Sequence, residues 1–358
     1  MTAAATHGIA TRGFAVSGAD AKFEPFEFAR REVGPKDILI DILYAGICHS
    51  DIHQVRAEWE PAIPSIFPMV PGHEIVGRVA KVGSEVTKFK EGDHAGIGCF
   101  VDSCRECGAC THGIEQFCVK GCAMTYNGTE MDRQTLTYGG YSKHYVIDEK
   151  YALNVNVSDD DLPGVAPLLC AGITTYSPLK KWGAGPGKKV AVAGLGGLGH
   201  MGVKIAAAMG AEVTVLSTSP SKEADAKKLG AHNFLNIKDA EATAAMAGGF
   251  DLILNTISAQ HDYNAYLALL GLNGVMVVVG VPTEPVPLHA FSLVGGNKVI
   301  AGSMIGGIPE TQEMLDFCAE HGLTSDIELI KPEYIDTAYD RTVKADVRYR
   351  FVIDMKNA

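Results

Sequence analysis

Residues 190–199 read Val190-Ala191-Val192-Ala193-Gly194-Leu195-Gly196-Gly197-Leu198-Gly199. The apolar run at its start predicts a buried strand, and the apolar, alanine-rich residues 200–208 predict a following helix. A glycine pattern by itself is weak evidence, because glycine-rich turns are common. Between a strand and a helix, however, glycines let the backbone approach a pyrophosphate at the positive helix N-terminus. The stretch therefore predicts a dinucleotide-binding turn.

The same pattern of apolar runs and helix-like stretches continues beyond this turn. Residues 213–216, 252–254 and 275–279 are continuous apolar runs separated by helix-like stretches. Runs of this kind are typical of strands buried on both faces. They predict a doubly wound parallel sheet covered by helices, an α/β domain that we place at residues 159–302.

The sequence before this domain has a different pattern. Residues 37–44 and 75–82 alternate or nearly alternate between apolar and polar side chains, with glycines between such runs. This predicts a β-rich domain of short antiparallel strands over residues 1–158. Residues 303–358 are too few for an independent core, so we expect them to return to the first domain.

Composition limits the classes of function. The 358 residues suffice for two domains with separate cores, and 42 acidic against 31 basic side chains give a net charge of −11 without a basic stripe for nucleic acid. The N-terminus has no signal-peptide pattern, and no apolar run reaches the roughly 20 residues that span a bilayer. We therefore expect a soluble, cytoplasmic protein that binds neither nucleic acid nor membrane.

Four of the nine cysteines are crowded into one short loop as Cys104-x2-Cys107-x2-Cys110-x7-Cys118. Four thiolates can close a tetrahedral zinc site with no open position, so this site is expected to be structural. Inert buried cysteines or an iron–sulfur ligand set are the alternatives. Cys99 and Cys122 lie nearby without this spacing, and we interpret them as structural.

A second set of potential ligands is dispersed along the chain. It consists of Cys48, His73 with the adjacent Glu74, and Cys170. Any one of them could be an ordinary core or surface residue, and the argument rests on the set. Two thiolates and an imidazole are a donor combination typical of catalytic zinc, which leaves a fourth position for water, substrate or Glu74.

The residues that follow the second apolar run bear on the choice of dinucleotide. An acidic side chain about 20 residues after the glycines would select NAD by binding the ribose 2′-hydroxyl. This sequence instead has the hydroxyl side chains of Ser217, Thr218 and Ser219, followed by Lys222. Hydroxyls and a positive charge favour a 2′-phosphate, so NADP(H) is the predicted cofactor. An ordinary solvated helix start is the alternative.

Together these motifs, with Val70-Pro71-Gly72-His73-Glu74 and Gly302-Ser303-Met304-Ile305-Gly306-Gly307, resemble the zinc-containing medium-chain dehydrogenases over essentially the whole chain. The resemblance is to the cinnamyl-alcohol-dehydrogenase-like branch, which includes broad-range bacterial NADP-dependent aldehyde reductases. It implies a GroES-like β-rich catalytic domain, a Rossmann domain and a homodimer.

The resemblance also implies roles for individual residues. Cys48, His73 and Cys170 would hold the catalytic zinc with Glu74 as an exchanging ligand, while Ser50 and His53 would form a proton relay. Gln54 and Trp59 would lie near the substrate pocket. The implied cofactor-binding residues are His49, Thr174, Gly194, Gly196, Gly197, Leu198, Gly199, Ser217, Thr218, Ser219, Lys222, Thr256, Val279, Gly280, Val281, Ser303, Ile305 and Arg348.

The predicted function is interconversion of primary alcohols and aldehydes with NADP(H) and two zinc ions per chain. A cinnamyl alcohol dehydrogenase proper is one alternative, and a zinc-free quinone or enone reductase on the same two-domain plan is another. A non-enzymatic protein that keeps only the four-cysteine zinc is a third. The dispersed ligand set argues against the last two.

Overall fold

The computed structural model describes residues 8–282 and 284–356. The chain divides into two compact units, one formed by Met1–Cys170 with Gly306–Ala358 and the other by Ala171–Ile305. The sequence placed the boundaries at 158/159 and 302/303. In the structure, residues 162–169 pack against strands of the first unit, so this unit continues to Cys170.

The N-terminal part of the first unit is built mainly from short strands, with three short helices among the described residues. In chain order its N-terminal part contains β1 (Ile9–Ala15), β2 (Glu24–Arg30), β3 (Asp37–Gly46), α1 (His49–Val55), β4 (Ile75–Val82), β5 (His94–Ile97), β6 (Phe100–Asp102), α2 (Gly108–Thr111), β7 (Ala123–Met124), β8 (Gly128–Thr129), β9 (Leu136–Thr137), β10 (His144–Asp148), β11 (Leu153–Asn154) and α3 (Leu162–Val165). Single-turn 3-10 helices cover Glu115–Phe117 and Ala166–Leu169.

The second unit alternates strands and helices. It contains α4 (Ala171–Lys181), β12 (Lys189–Ala193), α5 (Gly199–Ala208), β13 (Glu212–Ser217), α6 (Glu223–Lys228), β14 (Asn233–Asn236), α7 (Ala240–Ala245), β15 (Phe250–Asn255), α8 (Tyr263–Leu269), β16 (Leu270–Val278), α9 (Ala290–Val294) and β17 (Val299–Gly302), with a 3-10 turn at Pro220–Lys222. Its strands form one sheet in the order β14-β13-β12-β15-β16-β17.

All neighbouring strands of this sheet are parallel. The buried residues 190–193 and 252–255 fill its centre, as expected for strands covered on both faces. The strand order reverses at β12, and in open α/β sheets ligands bind outside the carboxyl ends of the strands at such a switch point. The glycine turn begins there.

The chain then returns to the first unit with α10 (Ile308–Glu320), β18 (Ile327–Ile330), α11 (Ile335–Val343) and β19 (Arg350–Asp354), and a 3-10 turn at Pro332–Tyr334. Strand β19 pairs antiparallel with β3 and parallel with β18. The resulting sheet has the order β11-β5-β4-β3-β19-β18, with β10 also paired to β3. The predicted return to the first domain therefore places β19 beside its longest strand.

The predicted fold class, a β-rich domain joined to a doubly wound parallel sheet, is confirmed by these two sheets. Among the described helices, none is long and apolar enough to cross a membrane.

Candidate active site

The dispersed ligand set forms a cluster within the first unit. Potential ligand atoms of Cys48, His73, Glu74 and Cys170 all lie within 4.8 Å of one another, and all four residues are buried. The Sγ atoms of Cys48 and Cys170 are 3.8 Å apart. Three separate chain segments supply these side chains: the residue before α1, the residues before β4 and the end of the 3-10 helix at 166–169. Two thiols, an imidazole and a carboxylate at this spacing fit a zinc ion.

The buried carboxylate of Asp51 holds this cluster together. Its Oδ1 lies 2.9 Å from His73 Nδ1, and its Oδ2 accepts the Cys48 N–H at 3.0 Å. Burial by itself lowers the pKa of His73, but Asp51, with smaller contributions from Cys99 and Cys48, raises that pKa well above the usual value. Because Nδ1 of His73 is engaged by Asp51, Nε2 is the nitrogen available to a metal.

The two thiols of this cluster influence each other. Hydrogen bonding with the Cys170 thiol lowers the pKa of Cys48 well below its usual value, against the opposing effect of burial, whereas hydrogen bonding with Cys48 raises the pKa of Cys170. A thiolate, not a thiol, is the form that ligates a metal. The pair therefore favours the thiolate form at Cys48, next to an imidazole held by Asp51.

Glu74 is paired with Arg350, a residue that sequence reasoning missed. Arg350 Nη2 donates to Glu74 Oε1 and, at 2.9 Å, to the Ile47 carbonyl. Glu74 Oε2 is buried and has no hydrogen-bond partner in the described part of the chain. Burial raises the pKa of Glu74 to about 8 although Arg350 opposes this. A buried unpaired carboxylate oxygen beside two thiols is a site that a cation would satisfy.

The sequence gives only an indirect indication that Arg350 is buried. It stands in the final alternating strand, where its position faces inward with Val352 and both are buried. The sequence instead pointed to Arg348, which is exposed and whose N–H lies 3.3 Å from Glu328 Oε1. Asp51 was also not predicted, because carboxylates at a helix start are usually read as caps.

The four crowded cysteines form the second cluster, also in the first unit. Ligand atoms of Cys104, Cys107, Cys110 and Cys118 lie within 4.8 Å of one another. Backbone N–H groups point at the sulfurs, with Cys107 N to Cys104 Sγ at 3.4 Å and Cys104 N to Cys118 Sγ at 3.5 Å. The N–H of Cys110 contributes most to lowering the pKa of Cys107 to about 6. The set fits a closed four-thiolate zinc.

The two remaining nearby cysteines stay outside both clusters. Cys99 is buried with its Sγ 3.9 Å from the Leu169 carbonyl, and Cys122 has its Sγ 3.7 Å from Met124 Sδ.

The predicted relay residues, Ser50 and His53, both lie on α1. Ser50 Oγ is 3.7 Å from Cys48 Sγ. His53 Nδ1 contacts the exposed carboxylate of Glu58, and its ring stacks on Trp59 with centroids 5.2 Å apart. The His49 and His53 ring centroids are 5.7 Å apart. Ser50 therefore lies beside a metal ligand, and His53 is linked to a surface carboxylate.

Gln54, which was assigned to the substrate pocket, has its amide engaged elsewhere. Its Nε2 donates to Ser65 Oγ at 2.9 Å, and its backbone carbonyl accepts from the same hydroxyl. The residue is buried and ties α1 to residues 63–65.

The predicted dinucleotide turn lies in the second unit between β12 and α5. Gly194 has φ +89°, and a Cβ on Gly199 would lie 2.0 Å from the Gly194 carbonyl, so both positions require glycine. A Cβ on Gly196 would meet no protein atom within 4 Å. Packing therefore does not explain this glycine, whereas close approach of a phosphate to the backbone does.

The residues predicted to bind the 2′-phosphate lie next to this turn. Lys222 Nζ donates to the Leu195 carbonyl at 2.8 Å, and Ser217 Oγ accepts the Ser219 N–H at 3.1 Å. Thr218 is exposed at the end of β13. The structure thus brings the Lys222 ammonium to the edge of the glycine turn.

Other predicted cofactor residues lie at the carboxyl ends of the neighbouring strands. Thr256 Oγ1 donates to the Ala193 carbonyl at 2.8 Å, and the N–H groups of Val279 and Gly280 bond to the Asn255 carbonyl at 3.0 and 3.1 Å. Ser303 N donates to the Val278 carbonyl at 3.3 Å. Gly197 and Leu198 are in the glycine turn. Thr174 is buried in α4, and Ile305 follows β17. Val281 is exposed. His49 and Arg348 belong to the first unit.

Comparison with known proteins gives the following matches. Residues 34–157 match the family model described as the alcohol dehydrogenase GroES-like domain, and residues 197–320 match that described as zinc-binding dehydrogenase. NADP-dependent alcohol dehydrogenase C 1 of Mycolicibacterium smegmatis is 56% identical over 95% of this chain and 97% of that protein. Aldehyde reductase YahK of Escherichia coli is 52% identical over 92% of this chain and 94% of that protein.

A solved structure, that of CAD from Helicobacter pylori complexed with NADP(H), is also similar. It is 46% identical in sequence, and its TM-score is 0.90. The match covers 98% of this chain and 99% of that one.

We predict that the two cysteine clusters load metal independently. Replacing Cys110 by Ser should lower the zinc content of the purified protein from two ions per chain to one, because the closed site loses a donor. Cys122→Ser is the matched control and should keep both ions. Elemental analysis of gel-filtered protein measures this, and retention of two zincs by Cys110→Ser would show the assignment of this cluster to be wrong.

Proposed function

The chain belongs to the zinc-containing alcohol dehydrogenases, and from this we propose that it reduces a broad range of aldehydes to primary alcohols with NADPH. The observation that carries the proposal is the buried Cys48, His73, Glu74 and Cys170 cluster. Such a set holds a metal while leaving one position to exchange. A zinc-free quinone or enone reductase would have no use for it.

Cys48, His73 and Cys170 would hold the zinc. When bound, zinc polarises the aldehyde carbonyl and NADPH supplies the hydride. The chain's own residues do the rest. Asp51 engages His73 Nδ1 and so leaves Nε2 as the nitrogen that would ligate the metal, and the lowered pKa of Cys48 favours its thiolate form.

The product alcohol needs a proton, which we assign to the α1 residues. The Ser50 hydroxyl, beside Cys48 Sγ, is placed to donate a proton at the reacting oxygen. His53 would replenish it, because an imidazole exchanges protons near neutrality and its Nδ1 contacts the exposed Glu58. The relay thus runs from the buried cluster to solvent.

Glu74 is proposed as the exchanging ligand. Arg350 holds one carboxylate oxygen of Glu74 and leaves Oε2 without a partner. This oxygen would be the one that ligates the metal when no substrate is bound. Arg350 would keep the Glu74 carboxylate paired whether or not it ligates, which a buried charge requires.

NADP(H) is proposed as the preferred cofactor because Lys222 borders the glycine turn and no acidic side chain occupies residues 217–222. The same cofactor appears in the names of the M. smegmatis relative and of the H. pylori structure.

A homodimer formed along β17 is proposed as well. This strand lies at the edge of the six-stranded sheet and offers unpaired backbone groups. Val281, Phe291 and Val294 near it in sequence are 74%, 84% and 73% exposed. Covering such apolar side chains favours association. The cytoplasmic location expected from sequence stays a prediction.

A cinnamyl alcohol dehydrogenase proper is the second candidate, since a cinnamyl alcohol dehydrogenase from Sorghum bicolor is also similar in structure, at 44% identity.

The proposed function is tested with benzaldehyde. Purified protein should oxidise NADPH in its presence, faster than NADH at equal concentration, and a zinc chelator should abolish the reaction because the cluster loses its metal. The absorbance loss of each cofactor measures this. If neither cofactor is consumed by protein that holds two zincs, the enzyme is not a general aldehyde reductase.

Removing the relay groups should slow turnover without releasing zinc. We expect Ser50→Ala to lower kcat about 10²-fold and His53→Ala less, because in the proposed relay Ser50 would donate directly to the reacting oxygen and His53 would act one step behind it. Steady-state kinetics with zinc analysis measures both effects. A zinc-depleted His53→Ala protein would mean that His53 has a structural role and does not relay protons.

Lys222→Ala should weaken NADPH binding about 10-fold or more and leave NADH binding nearly unchanged, because a charge-assisted contact to the 2′-phosphate is lost. Lys227→Ala is the matched control, since Lys227 is exposed and pairs with Glu223 on the same helix. Fluorescence titration of both cofactors measures the ratio. An equal loss for NADPH and NADH would contradict the proposed 2′-phosphate contact.

A further inference from the structure

Asn255, at the carboxyl end of β15, connects several backbone segments of the second unit. Its carbonyl accepts the N–H groups of Val279 and Gly280 at 3.0 and 3.1 Å. The residue is fully buried, and its side chain has Oδ1 3.2 Å from Ile257 N and Nδ2 2.9 Å from His261 Nε2. Asn255 therefore ties the end of β16 to the segment that follows β15.

The segment that follows β15 lies directly against Gly280. A Cβ on Gly280 would lie 2.5 Å from the Ile257 carbonyl oxygen, so the two backbones are in contact. Ile257 also approaches the glycine turn, since a Cβ on Gly194 would lie 3.0 Å from the Ile257 side chain. A shift of Ile257 would therefore displace the residues that follow β16.

The hydrogen bonds of this region fix which atoms of the Asn255 amide and the His261 ring donate. A backbone N–H can only donate, so the amide atom that faces Ile257 N is the oxygen, and the atom that faces His261 Nε2 is the nitrogen. Nε2 must then accept. A carbonyl can only accept, and Nδ1 lies 2.7 Å from the Ala259 carbonyl, so Nδ1 carries the proton. The geometry thus requires a neutral His261 ring in a single tautomer.

Two tyrosines of α8 pack against this ring. The His261 centroid lies 4.8 Å from that of Tyr263 and 5.3 Å from that of Tyr266, and both tyrosines are buried. The half-buried imidazole is therefore held by packing as well as by its two hydrogen bonds.

Asn255 lies in the half of the parallel sheet that is expected to bind the nicotinamide. A doubly wound sheet of this kind has two mononucleotide-binding halves that meet at the switch point. Lys222 and the glycine turn belong to the half with β12, β13 and β14, which takes the adenosine under the proposed function. Strands β15, β16 and β17 form the other half, and residues 279–281 follow β16 at its carboxyl end.

We propose that His261 is a positioning residue for the nicotinamide half of NADPH, acting through Asn255 on residues 279–281. Its Nε2 keeps the Asn255 amide in the orientation in which Oδ1 holds Ile257, and Ile257 in turn lies against Gly280. The inference rests on the proposed function, which assigns residues 279–281 to the cofactor.

The test replaces the two ring nitrogens of His261 one at a time. A glutamine amide can reach the place of Nε2, whereas an asparagine amide reaches only that of Nδ1. We expect His261→Asn to raise the Kd for NADPH about fivefold to tenfold, because the buried Asn255 amide nitrogen loses its acceptor. His261→Gln should recover most of the affinity. Because both replacements are polar, the comparison does not depend on a variant that loses the ring to an apolar side chain.

A second ligand separates the two halves of the cofactor. Adenosine 2′,5′-bisphosphate probes only the glycine turn and Lys222, so both variants should bind it as the unaltered protein does. Titration calorimetry measures both ligands. His289→Asn is the matched control, because His289 is an exposed histidine of the same unit whose described hydrogen bonds involve its backbone. It should bind both ligands with unchanged affinity.

Nuclear magnetic resonance of the unaltered protein, carrying isotopically labelled histidine, supplies a readout independent of the cofactor. We expect the His261 ring to be protonated at Nδ1 alone. Its signals are identified by their loss in His261→Gln and their persistence in His289→Asn.

Four results would overturn the inference: unchanged NADPH affinity in His261→Asn, an equal loss for both ligands, no recovery in His261→Gln, or a His261 ring protonated at Nε2. Failure of the unaltered protein to bind NADPH would overturn the proposed function itself, and it is measured first.

Discussion

The carboxylate of Asp51 is the constraint on which the catalytic cluster depends. It is fully buried, and a buried charge is tolerated only when hydrogen bonds satisfy it. The partners are His73 Nδ1 and the Cys48 N–H, from two chain segments that are not neighbours in sequence. Satisfying one carboxylate therefore brings the Cys48 thiol and the His73 imidazole to one point and leaves His73 Nε2 as the nitrogen that would ligate a metal.

The support for Asp51 extends into the C-terminal part of the chain. Tyr141 Oη lies 3.4 Å from Asp51 Oδ2 and 3.3 Å from the Tyr339 hydroxyl of α11. Arg350, on β19, holds Glu74 on the other side of the cluster. These contacts explain why the return of residues 306–354 to the first unit matters for chemistry. The returning segment supplies Arg350 as a direct partner of Glu74, and Tyr339 as a partner of the tyrosine that contacts Asp51.

The second unit obeys a different constraint, the close approach of backbone to backbone at the glycine turn. The contact between Gly199 and the Gly194 carbonyl lets α5 begin directly at the end of β12. The helix N-terminus is thereby set at the point where strand order reverses. Lys222 adds the one positive charge that we assign to phosphate recognition, and it is held by a carbonyl of this turn.

The sequence by itself predicted the parallel sheet and the glycine turn, because a continuous apolar run followed by glycines is a local pattern. The spacing of Cys104 to Cys118 likewise predicted a closed four-thiolate site, whereas Cys48, His73, Glu74 and Cys170 were candidates only as a set. Only the tertiary structure brings that dispersed set together and shows that Asp51 and Arg350 support it. Carboxylates and arginines are usually solvated, and nothing local in the sequence shows that these two are buried. Their roles come from partners 22 and 276 residues away, which only folding brings within hydrogen-bond distance.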